Sequence, residues 1–201
     1  MNVLILNKQN ITEITEVLCE AFYNYPVMKY VLGENEDYDN RLHKLVTFFV
    51  SARALRQEPI LGIYNSEKEL VAAALVTLPQ AILPPQEFVR QRDNLWAELG
   101  SGEKARYENY GLATSRLRPK EPHHHLNMIG VRNAYQGKGL ARKLIDAVET
   151  LASEHPSSTG ISLDTEVELN VQFYLHLGYK LLGQTNVNKD IFTWGFFKEK
   201  K

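Results

Sequence analysis

The sequence predicts an α/β fold of the α+β kind, a mixed and mostly antiparallel sheet flanked by helices. Three stretches carry that prediction. Residues 69–78, "ELVAAALVTL", are apolar almost without a break, as a strand covered on both faces must be. Residues 123–151, "HHHLNMIGVRNAYQGKGLARKLIDAVETL", pass from an apolar strand through a Gly-containing turn into a segment with Leu140, Leu144, Val148 and Leu151 at helical spacing. Residues 179–187 and 191–197, either side of an "NKD" turn, read as a closing hairpin.

Taken from the amino terminus, "VLIL" at 3–6 is a short first strand. Thr12 is placed to cap a helix carrying Ile14, Val17, Leu18 and Ala21, although Thr15 stands where a full capping box would need Glu or Gln. Pro26 ends or bends that helix, and "VMKYVLG" follows as a second piece stopping at Gly33. Phe22, Tyr23, Tyr25 and Tyr30 either line a pocket or pack in the core. A polar loop then leads into a helix over 41–55, with Leu45, Phe48, Phe49 and Ala52 on its apolar side.

"PILGIYN" and "ELVAAALVTL" form a hairpin across Ser66, Glu67 and Lys68. Pro79, Pro84 and Pro85 close it, and residues 80–120 become charged and helical, with Phe88, Arg92, Leu95, Trp96 and Leu99 on one face. Gly100 and Gly102 break that helix, and a second one over 103–112 carries Tyr107 and Tyr110. The segment reads as a helical insertion at about 80–120 within one domain spanning 1–201, because it is too small to fold alone. Pro156, Ser157 and Ser158 end the long helix. "GISLDT" is then a strand, and 170–177 a short helix with Val171, Phe173, Tyr174 and Leu177 as its apolar residues and Gly178 as its terminator. The final "KEKK" reads as a solvated tail.

A chain of 201 residues, 44% hydrophobic and 23% charged, suits one domain with a sizeable core. Its formal net charge of −1, without a basic block, does not indicate a nucleic-acid surface and points to a small-molecule partner. No run approaches the roughly 18 apolar residues of a membrane span, and no secretory signal order is present at the amino terminus, so the expected location is cytoplasmic. Cys19 is alone and reads as a core residue rather than a nucleophile. The expected assembly is a monomer or a homodimer.

The turn at 136–142 has a physical reading of its own. The first amides of a helix lack intrahelical partners and carry the positive end of its dipole. Gly137 and Gly139 remove β-carbons that would hold an oxyanion off the backbone, and Lys138, Arg142 and Lys143 add positive charge. A pyrophosphate site is one reading; a glycine turn that merely starts a surface helix is the other. Gln136, Gly137, Lys138, Gly139, Leu140 and Ala141 match the Q-x-x-G-x-G/A signature of the GNAT superfamily of acetyl-CoA-dependent N-acetyltransferases. "NVQFYLHLGYK" at 170–180 resembles that family's second signature, an Asn, a Phe-Tyr pair and a Gly-aromatic pair after the fifth strand. The two motifs in register identify the chain as similar to this family, most strongly over 123–180.

The resemblance implies a sheet splayed open between its fourth and fifth strands, here about 125–131 and 161–165, with acetyl-CoA as cosubstrate in the gap. The pantetheine arm would run beside Ile129, Gly130 and Val131, and the amides of Gln136 through Arg142 would wrap the pyrophosphate. Asn170 would hydrogen-bond the pantetheine, with Phe173 beside it in the motif; alternatively Asn170 is simply the cap of its helix. Tyr174 matches the family's general acid, and a phenol with a pKa of about 10 can donate to a leaving thiolate. For the base the first choice is His125, because the region resembles that of the arylalkylamine N-acetyltransferases, where two histidines alternate on the corresponding strand. Here Asn127 replaces the second. Alternation puts His125 on one face with Asn127 and Ile129, and His124 on the other with Leu126 and Met128. Glu166, Glu168 or water are rival bases. No metal site is expected, since His123, His124 and His125 alternate between faces.

The implied activity is transfer of an acetyl group to a primary amine, of a small molecule, by direct attack in a ternary complex. Cys19 lies outside both motifs, which disfavours a covalent route. The alternatives are a non-catalytic acyl-CoA-binding module, and a protein lysine or N-terminal acetyltransferase; the insertion, read as a lid, favours the smaller acceptor.

Overall fold

In the computed structural model, which describes residues 1–80 and 83–200, the apolar run becomes the strand β3 (Leu70–Thr77), buried along all but its last residue. Residues 81 and 82, within the predicted insertion, and 201, within the predicted tail, lie outside the described residues. β3 pairs on one side with β2 (Ile60–Tyr64), which pairs in turn with β1 (Val3–Ile5), and on the other with β4 (His124–Val131); all three pairings are antiparallel. β5 (Gly160–Thr165) continues the sheet by a parallel pairing with β4. β7 (Phe192–Glu199) pairs with β5, leaving β6 (Lys180–Asn186) at the edge. Among the described residues, then, seven strands form one sheet in the order β1-β2-β3-β4-β5-β7-β6.

The period of two along β3 sorts the core into two layers. Ala73 and Leu75 face a cluster built by α1 (Ile11–Phe22), α2 (Pro26–Leu32), α3 (Tyr38–Leu55), α4 (Gln86–Leu99) and, through Tyr107 and Tyr110, α5 (Ser101–Ser115). Ala72, Ala74 and Val76 face a second cluster under α6 (Leu140–Glu154) and α7 (Leu169–His176). Leu144, Ile145 and Val148 of α6 are fully buried there. Each contributes about 1.5–3 kcal/mol by leaving water. Among the described residues no helix is long and apolar enough to cross a membrane.

Several local expectations need correction. Thr12 lies inside α1; the chain enters through a short 3-10 turn, where Asn7 Oδ1 accepts the Gln9 amide at 2.9 Å and Asn10 Oδ1 accepts the Asn7 amide at 3.1 Å. The reciprocal asparagines do the capping job at a position with no Glu or Gln to signal it. Gly100, with φ +114°, separates α4 from α5, whereas Gly102 is helical. Asn170 does not cap α7, which begins one residue earlier.

The register of β4 carries the largest difference. Leu75 pairs with Met128 and Val76 with Leu126, so Asn127 is an extra residue, a β-bulge, whose Oδ1 accepts the Thr77 hydroxyl at 2.7 Å. The bulge inverts the alternation. His125 therefore shares its side with Met128 and Gly130, while Ile129 joins Leu126 on the α6 side, contrary to the simple period of two. Parallel pairing with β5 covers only His124↔Ile161, His125↔Ser162 and Leu126↔Leu163. Beyond it the strands part.

Candidate active site

The gap between β4 and β5 opens at the bulge, and a cavity of about 160 Å³ lies there. β4 contributes His125, Asn127, Met128 and Ile129; β5 and the turn after it contribute Asp164, Thr165 and Glu166; α7 contributes Asn170 and Tyr174. The helical layer closes the cavity with Phe22, Tyr25, Leu45, Phe49, Arg53, Tyr107 and Tyr110, and Arg118 enters from the segment between α5 and β4. Of the amino-terminal aromatics, Phe22 and Tyr25 line this cavity, whereas Tyr23 borders an open groove of about 560 Å³ that shares Tyr25 with it. Trp96 packs in the core against Tyr107.

Tyr25, at the elbow between α1 and α2, bridges to the far side of the gap. Its hydroxyl shares a 3.1 Å hydrogen bond with Thr165 Oγ1 and accepts the Glu166 amide at 3.2 Å. Asn170 Nδ2 donates to the same Thr165 oxygen at 3.1 Å. The motif asparagine thus braces the end of β5 from α7 and is itself a lining residue of the cavity. Phe173 is more than a third exposed and lies edge-on to Tyr174, outside the cavity lining.

Three ionisable groups in the wall differ sharply. Burial, then the nearby charge of Asp164, pushes the Glu166 carboxyl up to about 7. Its Oε1 accepts the Thr193 hydroxyl at 2.6 Å, and the phenols of Tyr25 and Tyr110 stand beside it. His125 is held well below the ordinary imidazole range, first by burial and then by the Arg118 guanidinium, so its ring is neutral at physiological pH. Its Nδ1 and the Ser162 hydroxyl share a 2.8 Å hydrogen bond, and Nε2 lies 3.5 Å from Asp164 Oδ1. Asp164 also accepts from Tyr110 at 2.7 Å and from Arg118 at 3.3 Å. The phenol of Tyr174 is raised by burial, then by Asp164 and Glu166, and stays protonated. Its ring is held between Tyr179 and Phe196, with centroids 5.9 and 5.6 Å away.

Other candidates fall away from this wall. Glu168 is exposed at the start of α7. His124 pairs with Ser158 and His123 donates to the Glu121 carbonyl, so the three neighbouring imidazoles serve three separate partners. The Cys19 thiol is pushed up to about 11, first by burial, which leaves little thiolate for nucleophilic work.

At the mouth of the gap, Gly137 and Gly139 have φ +73° and +77°, and a β-carbon on either would meet nothing within 4 Å. These glycines serve the left-handed backbone and leave open space in front of it. Among the described residues, the amides of 137–142 donate to no protein acceptor, and α6 begins without a side-chain cap. Gln136 is different. Its amide donates to Asn133 and its side chain to Val131 and Asn133, so it braces the turn. Lys138 lies over the Tyr135 ring and Arg142 pairs with Asp146. Gly130 is buried under α1, where a β-carbon would come within 2.9 Å of Leu18 and Ala21; Val131 is half-buried on the α6 side.

The sheet is thus parted at a bulged strand, beside a glycine turn with unspent amides. Residues 104–195 match the family model described as acetyltransferase (GNAT) domain. Over that stretch the chain matches a GNAT acetyltransferase domain. The GNAT acetyltransferases are acyltransferases, and solved structures agree with the fold over the whole length. An acetyltransferase from Corynebacterium glutamicum, described as histone acetyltransferase HPA2 and related, superposes with a TM-score of 0.77 at 21% identity, covering 100% of this chain and 96% of its own. The Drosophila melanogaster polyamine N-acetyltransferase, which forms N-acetylagmatine, gives 0.65 at 12% identity, covering 98% and 100%. Arylalkylamine N-acetyltransferase 2 from Aedes aegypti gives 0.63 at 15%, covering 100% of both chains. At these identities the likeness of this chain to its neighbours is one of fold.

Proposed function

We propose that the protein transfers the acetyl group of acetyl-CoA, the acetyl donor of its family, to the primary amine of a small molecule, by direct attack in a ternary complex. The observation that carries the proposal is the placing of Glu166 and Tyr174, one raised to about 7 and the other kept protonated, in the wall of one cavity beside the parted strands. The cofactor's fit rests on the chain's own backbone. The open amides of 137–142 suit a pyrophosphate, and the β4 residues beyond Leu126, with no β5 partner, offer an edge to a pantetheine. The whole chain, with α4 and α5 as the lid over the acceptor, is read as one catalytic domain.

Glu166 is the better base than the first choice, His125. A carboxylate with a pKa near the working pH is protonated and deprotonated at comparable cost, whereas His125, buried and between cationic neighbours, resists accepting a proton. His125 holds Ser162 and Asp164 in position instead. Tyr174 donates its phenolic proton to the departing sulfur. The polyamine and arylalkylamine activities of the neighbours support a small amine acceptor, and the closed, aromatic cavity supports it over a protein side chain.

Thiol release from acetyl-CoA across an amine panel tests the reading. At least one small primary amine should react, with kcat falling as pH drops through about 7, where Glu166 takes up its proton. Glu166→Gln should lower kcat by about 10²–10⁴-fold and remove that acidic limb. Acetyl-CoA binding without thiol release from any amine would instead favour a non-catalytic acyl-CoA-binding module, and a Glu166→Gln enzyme with normal kcat would return the role to His125 or water.

A further inference from the structure

Two guanidiniums stand in the wall of the cavity. Arg53, near the end of α3, and Arg118 both line it, and both act electrically on the same inward groups, depressing His125 and opposing the burial-driven rise of Tyr107. Arg53 Nη1 pairs with Glu58 Oε2 at 2.5 Å, and Arg56 Nη2 stands 3.5 Å from the other oxygen of the same carboxylate. Arg118 pairs with Asp164 at 3.3 Å. Each of the two lining arginines thus has one carboxylate partner, Glu58 for Arg53 and Asp164 for Arg118, and uses one of its five N–H donors on it. The Nε atoms of Arg53 and Arg56 are buried without a hydrogen-bond partner. N–H donors are left over at both lining arginines.

The register of β5 gives the spacing along one wall. Asp164, the partner of Arg118, lies two residues before Glu166 and Ser162, the partner of His125, four, which at about 3.3 Å per residue is about 7 and about 13 Å along the strand. The same cavity wall carries Leu45, Phe49, Tyr107, Tyr110 and Met128. We infer that the acceptor is an amine bearing a carboxylate at the far end of a short apolar or aryl spacer, with Arg53 and Arg118 binding the carboxylate while the amine faces Glu166. The inference rests on the N-acetyltransferase reading above and sets this chain apart from the polyamine acetyltransferase it resembles in fold, because a second ammonium would meet the arginines.

An isosteric trio tests it on the full-length protein with acetyl-CoA: para-aminomethylbenzoate, para-methylbenzylamine and para-xylylenediamine, with a straight-chain ω-amino acid, alkylamine and diamine of matched length beside them. The carboxylates should give kcat/KM at least tenfold above the neutral amines, and the diamines the lowest values. Arg53→Gln should erase the ratio of carboxylate to neutral amine. Arg118→Gln, at a half-exposed side chain, is the second variant should the buried Arg53 change prevent folding, and it should reduce the same ratio tenfold or more. A wild-type ratio near one, diamines preferred, a ratio untouched in Arg118→Gln, or turnover only with amines outside both series would overturn the inference and leave the N-acetyltransferase reading standing. Thiol release with no amine at all would overturn that reading, and this inference with it.

Discussion

Single side chains decide the proposed chemistry, and Tyr174 tests it most cleanly. Its ring is locked between Tyr179 and Phe196, so Tyr174→Phe keeps the packing and removes only the proton donor. Turnover should fall by about 10²-fold with acetyl-CoA affinity and melting temperature little changed, as steady-state kinetics, calorimetric binding and thermal unfolding would measure. Tyr174 and Asn170 were legible in the sequence because they sit inside a motif at fixed spacing. Glu166 was legible only as one rival among several. What raises its pKa is burial and then the charge of Asp164 two positions away, while the phenols of Tyr25, 141 residues before it, and of Tyr110, in a separate helix, hydrogen-bond to it and pull the other way. The sequence cannot display that convergence. His125 shows the converse, since its residue type suggested a base while its burial denies it the proton.

At the scale of elements, the amino terminus of α6 was readable and the bulge in β4 was not. Two glycines ahead of a helical repeat carry their own reason, a left-handed backbone and open amides. Gly139→Val would force a β-branched residue to φ +77°, at a cost of about 1–2 kcal/mol. It should weaken acetyl-CoA binding at least tenfold, by calorimetry, while circular dichroism stays that of the folded protein. Asn127, by contrast, has nothing in its neighbours to mark it as unpaired; only the register against Leu75 and Val76 does. A period of two counted through it gives the wrong side for every residue on one flank. The same limit applies to Asn7 and Asn10, whose reciprocal cap lies outside the usual Ser/Thr-x-x-Glu pattern.

For the molecule as a whole, the element order was legible, and the placing of β7 between β5 and β6 was not, because that pairing depends on contacts across the chain. The unspent amides and the β5-facing edge of β4 beyond Leu126 mean that acetyl-CoA, bound as proposed, completes the fold's own hydrogen bonding. At a hundredfold excess over Kd, binding should add about 2.7 kcal/mol to stability. The melting temperature should then rise by about 5–10 °C, as scanning fluorimetry would detect. The gap has one more consequence, and it is a matter of leverage. Two half-sheets meet along a seam of three residue pairs, and the free length of β4 from 127 to 131 extends about 16 Å beyond it. A rotation of about 5° at the seam would carry the outer lip about 1.4 Å, and an error of about 1 Å in a reacting geometry can cost about 10²-fold in rate. Accuracy at the lip is therefore bought at the fulcrum, where His124, His125, Leu126, Ile161, Ser162 and Leu163 are all buried.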